Sequence, residues 1–117
     1  MDDDIIIEID NPYLMVDNAS CSVSISSRTA YVYSLVEGDS GTTSTSITVY
    51  LEKLVNGSWQ LYTSWTHNGG KYQDNTDTAT VSYGAYRVWM SVSASGTGGN
   101  ESFNVNGNTA GYRNILF

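Results

Sequence analysis

The sequence predicts an all-β domain, and three observations carry that prediction. Apolar residues recur at every second position across several short windows, the period at which side chains alternate between the two faces of a strand. Clusters rich in Gly and Asn divide those windows, and such clusters turn a chain tightly. Nine Tyr and three Trp stand among many Ser, Thr and Asn, with only 15% charged residues, a composition that suits pleated surfaces better than helices. No window sustains apolar residues at i, i+3, i+4 and i+7 long enough for a core helix. A chain of 117 residues is long enough for one domain with a real core. Short strands divided in this way read as a two-sheet sandwich or a barrel.

The elements follow in order. Residues 1–19 read as an N-terminal arm or an extra strand, because Ile5-Ile-Ile-Glu-Ile9 is strand-like and Asn11-Pro12 breaks it. The body spans residues 20–112. Its first strand, Ser20–Ser26, alternates Cys21, Val23 and Ile25 with serines, which makes Cys21 a small buried thiol. Thr29–Val36 comes next. In Thr45–Leu54, Ile47, Val49 and Leu51 share one face while Thr48, Tyr50 and Glu52 share the other. Asn56-Gly57 then turns the chain into Ser58–Thr66, where Trp59, Leu61, Thr63 and Trp65 alternate with Gln60, Tyr62 and Ser64. That alternation places Trp59, Leu61 and Trp65 inward, and Tyr50 and Tyr62 outward. After Thr76–Ser82, the strand Ala85–Ser95 has two unlike faces. Tyr86, Val88, Met90, Val92 and Ala94 line the core side; Arg87, Trp89, Ser91 and Ser93 look to solvent. Glu101–Asn106 closes the set, and Asn106-Gly107 reads as a turn. Residues 113–117 form an apolar tail able to pair or pack.

A resemblance emerges from several of these segments. They are Ile47-Thr-Val-Tyr-Leu-Glu-Lys53, Gly57-Ser-Trp59, Ser64-Trp65, Gly84-Ala-Tyr-Arg-Val88 and Gly99-Asn-Glu-Ser102. Their order and spacing over residues 20–112 resemble small exported proteins of Gram-positive bacteria, a family of unassigned function. The same segments are more loosely similar to fibronectin type III and other immunoglobulin-like sandwiches, where the Tyr86-x-Val88 pattern occupies the next-to-last strand. That similarity implies an immunoglobulin-like two-sheet sandwich of about seven strands. Thr45–Leu54, Ser58–Thr66, Ala85–Ser95 and Glu101–Asn106 would form one sheet; Ser20–Ser26, Thr29–Val36 and Thr76–Ser82 would form the other. It also implies export or a cell-surface location. Met1 is followed by three Asp and not by an export signal, so the chain resembles the mature part of such a protein.

Charge narrows the partners. The net charge is −7, and the five basic residues are scattered, so there is no basic stripe for nucleic acid. No apolar run approaches the length of a membrane span.

Catalytic constellations are scarce. His67 is the only histidine and falls in Thr66-His-Asn-Gly-Gly70, which reads as an exposed turn. One Cys and one His cannot build a structural zinc site. Asp74 and Asp77 are weak candidates for calcium, and turn chemistry accounts for them as well. No cofactor is expected, and no enzyme activity.

The outward aromatics remain. Tyr50, Tyr62, Arg87 and Trp89 would share one outer face, because neighbouring strands lie about 4.8 Å apart. Tyr, Trp and Arg are the residues that anchor partners, and flat rings also stack on sugars. The expected role is therefore a non-catalytic binding module for a carbohydrate or protein, with the rings stacking and Arg87 orienting, or stacking over Trp89. Cross-strand pairing of the aromatics for stability explains them equally, as does a terminus laid over the face. An expectation of another class is an assembly protein, a homo-oligomer joined through strand edges or apolar termini.

Overall fold

A computed structural model describes residues 15–112. Seven strands succeed one another: β1 (Val16–Ser26), β2 (Thr29–Gly38), β3 (Thr42–Val55), β4 (Ser58–Gly69), β5 (Tyr72–Thr80), β6 (Gly84–Gly96) and β7 (Gly99–Tyr112). They form two antiparallel sheets, one ordered β1-β2-β5 and the other β4-β3-β6-β7. This is the two-sheet sandwich, and its sheet membership is the one expected of an immunoglobulin-like fold. The Ile5–Ile9 and Ile115–Phe117 segments lie outside the described residues.

The core fills the space between the sheets. Val23, Val32 and Val36 face Ile47, Val49, Leu51, Val88, Met90 and Val92, all of them buried. Tyr86 is the largest fully buried side chain. Its hydroxyl donates to the Ser82 carbonyl at 2.9 Å and accepts from the Ser82 N–H at 3.1 Å. This loop-to-strand tie, four residues back along the chain, is the tyrosine corner of sandwich folds. The Ser34 hydroxyl is buried with no hydrogen-bond partner among the described residues, a local cost of about 1–3 kcal/mol.

Two-residue turns close the hairpins. Asn56 and Gly57 both have positive φ (52° and 79°), the combination that matches the twist of paired strands. At the β6–β7 turn, Gly96 lies against the β2–β3 loop, where the Thr97 N–H donates to the Gly41 carbonyl at 3.0 Å.

Several boundaries depart from the sequence reading. β1 begins at Val16, four residues earlier than expected, because Ala19 and Asn18 continue the pairing with β2. β4 runs on to Gly69, paired with Thr45, so His67 is a strand residue and not an exposed turn residue. Asn106-Gly107 is no turn. The strand continues through a bulge in which Gly107 and Asn108 together oppose Val88, since Arg87 pairs with Thr109 and Trp89 with Asn106.

Polar side chains stitch the open sides of the sandwich. The Asn108 amide accepts from the Val23 N–H at 2.7 Å and donates to the Val23 carbonyl at 2.9 Å, occupying part of the free edge of β1. On the opposite side, His67 Nε2 lies 2.7 Å from Asp77 Oδ2, and Gln73 Nε2 donates to Thr45 Oγ1 at 2.8 Å.

Candidate functional site

Alternation along β6 sends Arg87 and Trp89 outward and buries Tyr86, Val88 and Met90. Tyr50 sits opposite Trp89 on β3, and the two rings stack with centroids 4.3 Å apart and planes at 19°. Stacking of this kind contributes about 0.5–1.5 kcal/mol beyond burial. It also fixes the indole orientation. Each ring stands up from the sheet and gives one face to its neighbour. The aromatics are therefore a cross-strand pair and not a flat platform.

Arg87 does not stack on Trp89. Its Nε donates to Glu52 Oε1 at 2.6 Å, and its guanidinium carbon lies 4.5 Å from the centre of the Trp59 ring. Glu52 stands directly opposite Arg87 on the adjacent β3, and Trp59 reaches the guanidinium from β4, on the far side of β3. Such a half-exposed pair adds about 0–1 kcal/mol to stability. Its larger effect is to neutralise the two charges that the outer face of this sheet carries among the described residues.

Tyr62 does not belong to this face. Leu51 pairs with Thr63 and Glu52 with Leu61, so Tyr62 is an extra residue in β4. The bulge reverses the facing of everything before it. Trp59 and Leu61 turn outward, against the expectation, while Trp65 remains packed on the core. Tyr62 turns toward the sandwich interior. Its ring meets Tyr86 edge-on at 5.3 Å, and its hydroxyl donates to the Thr80 carbonyl at 2.6 Å. Of the four expected site residues, the fold brings together Tyr50, Arg87 and Trp89.

Beside Trp89 lies a cleft of about 530 Å³, lined by Glu52, Arg87, Trp89, Asn104, Asn106 and Thr109, with Val88 and Gly107 at its floor. Its volume falls within the range of small-molecule sites, roughly 300–1,000 Å³. The β7 bulge shapes it. Asn104 and Asn106 alternate with the inward-packed Phe103 and Val105, so both amides stand on the outer face. That alternation was present in Phe103-Asn-Val-Asn106, and sequence reasoning passed over it; the outward turn of Trp59 had no such signal. Tyr50 does not line the cleft, since it covers the other face of Trp89.

The remaining reactive groups are engaged elsewhere. Asp74 and Asp77 sit three positions apart in β5 and so point to opposite faces, where one ion cannot take both. Among the described residues no group of three or more His, Cys, Asp and Glu is placed to hold a metal. Burial pushes the Cys21 thiol up to about 11. At pH 8 roughly one molecule in a thousand then carries the nucleophilic thiolate. The native protein is expected to react with a thiol-disulfide reagent far more slowly than the urea-unfolded chain.

The same shift has a consequence for stability. An unfolded Cys titrates near 8.5, below the folded value. Its contribution is therefore complete below about pH 8.5 and is lost as pH rises toward 11, where the unfolded chain releases the proton first. Urea midpoints measured from pH 8 to 11 are expected to fall more steeply for the native sequence than for Cys21→Val. Equal slopes would refute the assignment.

No protein-family model and no curated protein sequence matches the chain, so the likeness to exported Gram-positive proteins rests on the sequence motifs alone. Among solved structures, a CARDB domain from Pyrococcus furiosus, crystallised in complex with di-metal ions, is similar at 18% identity and a TM-score of 0.41, over 90% of this chain and 100% of that one. A likeness that loose bears on neither the fold nor the site.

Proposed function

We propose that this domain is a non-catalytic, exported or cell-surface binding module that contacts its partner, a carbohydrate or a protein, through the outer face of β4-β3-β6-β7. One observation carries the reading. Trp89 is locked upright by Tyr50, and its second face opens on a cleft flanked by the Asn104 and Asn106 amides. An indole held in place before the ligand arrives spends little ordering entropy on contact. One fact supports the non-catalytic part: burial holds the Cys21 thiol protonated, with its pKa pushed up to about 11.

The test uses arrayed glycans and peptides probed with the native domain, with Trp89→Ala, and with Tyr33→Ala on the exposed face of the other sheet. The expected result is a ligand whose binding falls about tenfold or more in Trp89→Ala, with thermal unfolding lowered only slightly. Tyr33→Ala should bind like the native domain. A ligand kept by Trp89→Ala and lost by Tyr33→Ala would place the contact surface on the other sheet.

A further inference from the structure

The geometry points to a neutral sugar ring of a glycan as the group seated between Trp89 and the β7 bulge, an inference that rests on the contact face proposed above. Charge comes first. The cleft holds one cation and one anion, Arg87 and Glu52, and they are bonded to each other at 2.6 Å. An anion drawn to Arg87 would also meet the Glu52 carboxylate that already compensates it, so uronates, sulfated sugars and phosphate esters are disfavoured. Uncharged residues make up the rest of the outer face, with Trp59 and Leu61 beside many Ser, Thr and Asn, including Thr48 against Thr66 at 3.2 Å and Ser93 against Ser102 at 3.2 Å.

Hydrogen-bonding capacity comes second. Asn104 and Asn106 are exposed, and neither side chain has a hydrogen-bond partner among the described residues. Each amide offers both donors and an acceptor. A sugar hydroxyl is likewise donor and acceptor at once, so adjacent ring hydroxyls match an amide that presents both. The third argument is the ring. A pyranose exposes a patch of C–H groups on its face and hydroxyls around its rim. The C–H patch fits the free face of Trp89, while the rim points sideways to the amides. Only one face of the indole is free, because Tyr50 covers the other. This favours a single stacked ring over a proline-rich peptide, which docks between parallel aromatic ridges.

Isothermal titration with neutral oligosaccharides (glucans, mannans, xylans and galactans) tests the assignment, alongside uronate oligomers and a proline-rich peptide. Expected is binding of at least one neutral series, nearly unchanged between low and high salt because no ion pair forms. Trp89→Ala should weaken it about tenfold or more, and Asn104→Ala and Asn106→Ala about three- to tenfold each. Tyr33→Ala should leave it unchanged. Binding only to uronates with steep salt dependence, or only to the peptide, overturns the ligand class; if either is lost in Trp89→Ala, the contact face survives. No binding of any neutral series also overturns the class. A neutral glycan bound equally well by Trp89→Ala overturns both the class and the face.

Discussion

Gly96→Ala is expected to lower the unfolding free energy by about 3 kcal/mol. The added methyl would stand 2.0 Å from the Gly41 carbonyl oxygen and 2.8 Å from the Thr42 Cα. Both obstacles are backbone, so no side chain can swing aside. The β2–β3 loop would have to lift away from the β6–β7 turn, and the Thr97 N–H would lose its 3.0 Å bond to Gly41. Because globular domains are stable by only about 5–15 kcal/mol, such a loss is a large fraction of the whole. Gly98→Ala is the control, since nothing lies within 4 Å of its added carbon. Urea unfolding of the pair should show a large midpoint shift for position 96 and almost none for position 98. Similar midpoints would mean that the two loops are not in contact in solution.

Tyr86→Phe is expected to cost about 1–3 kcal/mol without altering the packing of the ring. The substitution removes one oxygen. That oxygen serves both the N–H and the carbonyl of Ser82, at 3.1 and 2.9 Å, and has Ser82 Oγ at 3.3 Å. The link fixes the loop that carries the chain from β5, in one sheet, to β6, in the other. Amide hydrogen exchange gives a local reading. The Ser82 N–H should exchange much faster in Tyr86→Phe, while amides in the middle of β3 stay protected in proportion to global stability. Unchanged protection at Ser82 would show that the hydroxyl does not hold the loop.

The sequence made legible whatever depends on uninterrupted alternation. In β6, five apolar positions at period two fixed which residues enter the core, and with them the outward placement of Arg87 and Trp89. Asn56-Gly57 marked its hairpin because two positive φ angles in succession demand those residues. What could not be read was an inserted residue. The bulge at Tyr62 leaves Trp59, Leu61 and Trp65 in the same apparent phase, and only pairing with β3 reveals the break. A second difficulty lay at strand ends. Asn68, Gly69 and Asn106 have turn propensity, yet they pair because their neighbours on β3 and β6 already present open hydrogen-bonding edges. The Glu52–Arg87 link joins residues 35 positions apart, and no local pattern announces such a partner.

The additional residue at Gly107–Asn108 keeps two halves of one strand in step. Phe103 and Val105 ahead of it, and Ala110 beyond it, all look toward the oily centre. Straightening the strand with every residue kept would drive Thr109 inward and strand Ala110 in water. It would also withdraw the Asn108 amide from Val23 and flatten the hollow beside the indole. The cleft beside the indole and the cohesion of the two sheets thus share one pucker of backbone, so a change to either alters the other.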